Sequence, residues 1–135
     1  MDIAIIGANG DVGRALAVQI VARKLLSPRQ RLQLVGRRGG ASAQALFGLR
    51  ADLYDAYAEI TPEIDVALAP EDVAADLILF TAGATAPTSG RQMVSRLELA
   101  RINAEVMESY ASVLAQRGHG QELVVMVTNP VELGV

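Results

Sequence analysis

Residues 3–13 read IAIIGANGDVG. The four apolar residues Ile3-Ala4-Ile5-Ile6 make a run of strand length, and Gly7 ends it. From Val12 onward apolar residues return at helical spacing, through Ala15, Leu16 and Ile20, until Ser27-Pro28 stops the pattern after residue 26. Between the two lies Gly7-x-x-Gly10-x-x-Gly13. Glycine at 7 permits the tight turn. Gly10 lets the main chain approach a pyrophosphate with no Cβ in the way, and Gly13 lets the helix pack close to the strand. The phosphates would meet the free N–H groups and the positive dipole end of the helix, with Asn9, Asp11 and Val12 completing the loop. A glycine-rich turn can also serve sheet packing alone. Its position at the first strand–helix junction of a βαβ pattern favours dinucleotide binding.

The rest of the chain continues the alternation. Residues 32–35 predict a second strand, and residues 41–58 a helix carrying Leu46, Leu49, Leu53 and Tyr57, interrupted by Gly48. Thr61-Pro62 breaks it. Residues 64–69 predict a third strand, 72–75 a short helical turn, and 77–80 (LILF) a fourth strand. That last run is continuously apolar, as a strand covered on both faces should be. A loop rich in Gly, Thr, Ser and Pro at 83–90 precedes the longest helical pattern, about 91–117. Residues 123–127 predict a fifth strand, ended by Asn129-Pro130. Strand and helix in repeated alternation imply an α/β, Rossmann-type doubly wound parallel sheet with right-handed crossovers. Five strands are expected with the sixth missing, so the last strand should leave an uncovered edge.

The totals agree with a single domain able to bury a core: 135 residues, 51% hydrophobic and 20% charged. No apolar run reaches membrane-spanning length, and the N-terminus MDIAIIG shows no signal peptide. With no cysteine there are no disulfides and no thiolate chemistry, which fits a cytoplasmic protein. A net charge of −3 with mixed signs carries no electrostatic footprint for nucleic acid. No metal-ligand pattern stands out.

The second strand is followed by Gly36, Arg37 and Arg38. That is about twenty residues past the glycine loop, where a dinucleotide binder usually carries an acid for the adenosine ribose. Without a carboxylate, repulsion of a 2′-phosphate is absent, and the two arginines could give it charge-assisted bonds. The expectation is NADP over NAD. The plain alternative is two solvated arginines in a glycine-rich turn.

Three segments of the second half carry a resemblance: DLILFTAGA (76–84), Arg96-x-Glu98-Leu99-x-x-x-Asn103-Ala104, and VVMVTNPVE (124–132). Together they resemble the lactate/malate dehydrogenase family, and RADLYDA (50–56) is similar to a further segment of it. The extended short-chain dehydrogenases are the alternative. Their fifth strand normally ends in a serine pair followed by Tyr-x-x-x-Lys, and here Asn129-Pro130 stands at that point with no Tyr-x-x-x-Lys anywhere.

The lactate/malate resemblance implies a nicotinamide cofactor and a small 2-hydroxy or 2-oxo acid substrate, in an enzyme that forms homo-oligomers. By position it places Thr81, Ala82 and Gly83 along the riboses, Asn103 facing the cofactor, and Val127 and Asn129 at the nicotinamide end. Asn129 would also reach the substrate, and it could equally be a strand-ending turn. Arg96, by its spacing to Asn103, matches an arginine that holds substrate carboxylates; Arg91 would be its carbonyl-polarising companion. The Arg91–Arg96 spacing is one residue short of the family's and the loop is longer, so a solvated helix start is the competing reading.

The only histidine, His119 in RGHGQE (117–122), mimics the local context of the family's catalytic base. It precedes the fifth strand, however, which puts it on the sheet edge opposite the cofactor. It reads as a helix stop, with Gly118 and Gly120 making the turn. No catalytic residue is expected in this chain. The proton-transfer groups are expected in a C-terminal half outside it, although a non-catalytic dinucleotide-binding module would look the same.

Overall fold

The computed structural model describes residues 1–84 and 95–128, apart from the side chain of Arg96. Five strands form one parallel sheet: β1 (Ile3–Ile6), β2 (Arg31–Val35), β3 (Glu63–Ala67), β4 (Leu77–Phe80) and β5 (Leu123–Met126). Their order is β3-β2-β1-β4-β5. Starting in the middle and winding outward both ways gives the doubly wound arrangement expected from the sequence. In register, Ile6 stands beside both Val35 and Phe80, Val35 beside Ala67, and Phe80 beside Met126. The strands therefore finish in line, and the loops that leave them open on one edge.

The apolar runs explain the layers. Successive side chains of a strand point to opposite faces. Ile3 and Ile5 join Leu32 and Leu34 in a core covered by α1 (Asp11–Ala22) and α2 (Gly40–Tyr57), through Ala17, Ile20, Leu46 and Leu49. Ala4 and Ile6 face the other way, toward Ile78, Phe80 and the long helix α3 (Arg96–Arg117), with Met107 and Tyr110. Gln33, buried among them, is satisfied on all sides. Its amide donates to Asp65 Oδ2 at 3.0 Å and to the Asp72 carbonyl at 2.9 Å, and its oxygen accepts from the Ala74 amide at 3.0 Å.

Several boundaries differ from the sequence expectation. Helix α1 stops at Ala22 rather than at residue 26. Lys24 turns into the left-handed region (φ 54°), and the amides of Lys24 and Leu25 fold back on the carbonyls of Val21 and Ile20. That double closure is a Schellman end, which periodicity alone does not reveal. The short turn falls at Pro70–Asp72, not 72–75, because proline is pre-set for a first helical position. Strand β3 occupies Glu63–Ala67 instead of 64–69. Helix α3 begins at Arg96, later than the apolar pattern suggests, since Ser95 caps it by accepting from the Glu98 amide at 3.1 Å. Gly48 does not interrupt α2.

The edge strand β5 has the exposure expected of it: Leu123 is 63% exposed, and Val124, Val125 and Val127 are also open. No helix among the described residues is long and apolar enough to cross a membrane.

Candidate functional site: the carboxyl edge of the sheet

The turn after β1 is built from two close approaches. Gly7 sits at φ +88°, and a Cβ there would lie 2.6 Å from the Ala82 nitrogen. Neither fact leaves room for a side chain. At Gly13 a Cβ would overlap the Gly7 carbonyl oxygen and stand 2.7 Å from Ala8 Cα, so α1 starts directly against the turn. Gly10 is different. A Cβ there would meet only the Gly7 oxygen, at an ordinary 3.4 Å. The protein's own packing does not demand glycine at 10, whereas the close approach of a ligand's phosphates would. Gly10 precedes α1, and no side chain caps that helix end. The amides of Gly7 and Ala8 both donate to the Val35 carbonyl, at 2.9 and 3.2 Å, which locks the turn to the end of β2.

Beside this turn opens a cavity of about 220 Å³. Gly7, Asn9 and Gly10 form one wall. Gly36 and Arg37 form the second, and Thr81, Ala82 and Gly83 the third. The sequence drew all eight from three separated segments, and parallel register brings them together. The volume is below the roughly 300–1,000 Å³ of sites that enclose a whole drug-sized ligand, so it suits one end of an extended dinucleotide.

The loop after β4 is held in place by neighbours distant in the chain. Thr81 is pinned through both its amide and its hydroxyl to the Ile6 carbonyl, each at 2.8 Å. The Thr128 hydroxyl reaches the carbonyls of Ala82 and Phe80 at 2.7 and 3.2 Å. A Cβ on Gly83 would strike Thr128 Cγ2 at 2.5 Å. Asn103, 2% exposed, accepts from the Ala84 amide at 2.6 Å and donates back to its carbonyl at 3.4 Å. Asn103 thus clamps Ala84 at the rim of the cavity. Val127 donates its amide to Phe80 at 2.9 Å and stands outside the cavity. Asp11, Val12 and Arg38 are exposed beside it without lining it. Arg91, Asn129 and the Arg96 side chain lie outside the described residues.

The structure also brings in residues that sequence reading did not single out. Ile102, Val106 and Tyr110, spaced by four along α3, present one stripe to the cavity. The spacing was visible as ordinary core periodicity, and nothing in it distinguished the cavity side. At Gly36 a Cβ would meet Leu46 Cδ1 at 2.6 Å and the Ser42 hydroxyl at 3.1 Å. The end of β2 thus packs directly against the head of α2, and a larger side chain at 36 would have to displace the Leu46 methyl.

His119 lies at the other end of the sheet, as its position before β5 requires. Its Nε2 is 3.5 Å from Asp76 Oδ1, its Nδ1 accepts from the Gln121 amide at 3.2 Å, and its own amide donates to Glu122 Oε1 at 2.6 Å. With Asp2, Arg31 and Arg117, the residues His119, Asp76 and Glu122 border a separate cavity of about 320 Å³. Helix α3 does stop at Arg117, and Gly120 takes φ +77° in the turn that follows. Among the described residues no group of His, Asp and Glu is arranged to hold a metal ion.

Comparison with known proteins agrees with this geometry. The malate dehydrogenase of Methanococcus maripaludis is 30% identical over 98% of this chain and 40% of its own length. An L-2-hydroxycarboxylate dehydrogenase (NAD(P)(+)) of Methanocaldococcus jannaschii is 29% identical, over 98% of this chain and 41% of its own. The chain spans about two fifths of the length of these relatives. Among solved structures, malate dehydrogenase from Naegleria fowleri superposes with a TM-score of 0.78 at 23% identity. That match covers 96% of this chain and 39% of the other, and it shows the shared fold. Residues 1–135 match the family described as lactate/malate dehydrogenase, NAD binding domain, and the chain belongs to that family.

Proposed function

We propose that this domain holds the dinucleotide of an oxidoreductase that exchanges hydride between a nicotinamide and C2 of a small 2-hydroxy acid. The observation that carries this reading is the cradle of Gly7, Gly10 and Gly13 at the head of α1, opening into the cavity at the carboxyl edge of the sheet. Open α/β sheets bind ligands at that edge. The uncapped start of α1 offers its amides and dipole to a pyrophosphate. Thr81 through Gly83, fixed by Thr128 and Asn103, give a rigid main-chain wall for the riboses. Bound there, the nicotinamide would supply the hydride chemistry, and the residues of this chain bind and orient it.

The sole histidine sits at the opposite edge. On this reading the domain binds cofactor, and the proton-transferring groups belong to a further catalytic domain, in a cytoplasmic enzyme that assembles as a homo-oligomer. Arg91, Arg96 and Asn129 would contribute to the substrate side.

We further propose NADP over NAD. Gly36 offers no carboxylate to bind a ribose or repel a 2′-phosphate, and Arg37 borders the cavity with its positive charge. Calorimetric titration of the chain with both cofactors is the test. NADP should bind roughly tenfold tighter, as one charge-assisted bond contributes about 1.5–3 kcal/mol. Arg37→Asp should remove that preference while leaving NAD binding in place. Equal or tighter binding of NAD to the unmodified chain ends the NADP reading.

A further inference from the structure

We infer that Tyr110 is a specificity-determining residue of the cofactor site: its phenol, opposite Arg37, donates a hydrogen bond to the 2′-phosphate of the adenosine. This adds, from a different element, a second donor to the one that Arg37 offers after β2, and it rests on the NADP reading.

Few polar side chains are available at that end. Asn9, Arg37, Thr81 and Tyr110 are the polar side chains that line the cavity among the described residues. The Thr81 hydroxyl is committed to the Ile6 carbonyl. Gly36 has no side chain to contribute, and it packs against the tips of Leu46 and Ser42. Asn9 stands next to Gly36, its Oδ1 being 3.5 Å from where a Cβ would be. Asn9, Arg37 and Tyr110 remain as donors, and of these Tyr110 alone comes from α3.

Tyr110 suits the role on three counts. It ends the Ile102–Val106–Tyr110 stripe, whose first two members offer only hydrocarbon, so its hydroxyl is the stripe's one polar atom. Its ring is held edge-to-face against Phe80, centroids 5.7 Å apart and planes at 86°, so the phenol is pre-oriented. It is 7% exposed, and a hydrogen bond in so dry a place discriminates strongly, since its loss leaves a buried group unpaired. Burial pushes the phenol pKa up, with the Arg37 charge opposing, so it stays a donor at neutral pH.

Tyr110→Phe keeps the ring against Phe80 and removes only the hydroxyl. The probes are adenosine 2′,5′-bisphosphate and adenosine 5′-monophosphate, titrated into the full chain and the variant. The expected result is a roughly tenfold loss for the bisphosphate with less than a twofold change for the monophosphate. If the unmodified chain does not prefer the bisphosphate, the NADP reading falls and this inference with it. If that preference exists and survives Tyr110→Phe, the NADP reading stands and the role of Tyr110 is overturned. Equal weakening of both probes also overturns it, reducing Tyr110 to shaping the cavity. A second readout needs no variant. In the chain labelled at tyrosine Cζ, the bisphosphate should shift one resonance that the monophosphate leaves in place, and no such shift refutes the contact.

Discussion

A Cβ placed on Gly7 would stand 2.6 Å from the main-chain nitrogen of Ala82, so the loops after β1 and β4 touch backbone to backbone. That contact sets the width of the cavity between them. Because backbone can move aside less readily than a flexible side chain, and because Gly7 is at φ +88°, Gly7→Ala should lose about 2–4 kcal/mol of stability. Thermal melts should show it, and nucleotide binding should disappear below the melting point as the loops part. A variant that melts like the parent and binds normally would show the approach to be slack.

Two exposed backbone positions should respond in the opposite sense. Gly48 lies inside α2 with nothing within 4 Å of an added Cβ, so Gly48→Ala should stabilise by about 0.5–1 kcal/mol. Lys24 carries a side chain at φ 54°, where the Schellman end of α1 favours glycine. Lys24→Gly should stabilise by about 1 kcal/mol. Chemical denaturation midpoints check both, and a loss in either would contradict the backbone geometry.

Acid sensitivity should come from the amino edge of the sheet. The Asp2 amide donating to Asp76 holds its carboxyl below the usual range, helped by the N-terminal ammonium and His119. Glu122 is lowered by its own amide first, and then by the amides of His119 and Gly120. A carboxylate whose pKa is depressed by folding contributes stability above its unfolded pKa, about 4, and loses it as pH falls through the folded value. Unfolding curves between pH 5 and pH 2 should therefore steepen below about pH 4. Asp76→Asn and Glu122→Gln should each flatten that dependence, and an unchanged slope in both would locate the acid response elsewhere. Asp76 is exposed and Glu122 only half-buried, so the effects should be small and weakened by salt.

The apolar edge at β5 should make the isolated chain sticky. Val124 and Val125 stand open on β5, which has a strand partner on one side only among the described residues, a surface that pairs readily with another copy. Sedimentation velocity should show association that rises with concentration. Val125→Lys should reduce it. A monomer at every concentration would mean that the edge is protected.

The sequence by itself determined the order of elements, the parallel sheet, the glycine turn and the placement of His119 away from the cofactor edge. Each depends on local patterns: periods of 2 and 3.6, glycine spacing, and the position of a residue before or after a strand. Even the gathering of Gly7, Gly36 and Thr81 at one edge followed, because parallel strands in register must release their loops together. Tertiary structure alone decided which groups border the cavity and which hold it. Asn103 and Thr128 lie far from Ala82–Ala84 in the chain and reach them only after α3 and β5 have docked. Leu46 packs against Gly36 only because α2 lies across the end of β2, and Tyr110 looks like any core residue until Phe80 and Arg37 are placed around it. Contacts between residues distant in sequence depend on the packing of whole elements, and that information is spread over the chain rather than written at the residues concerned.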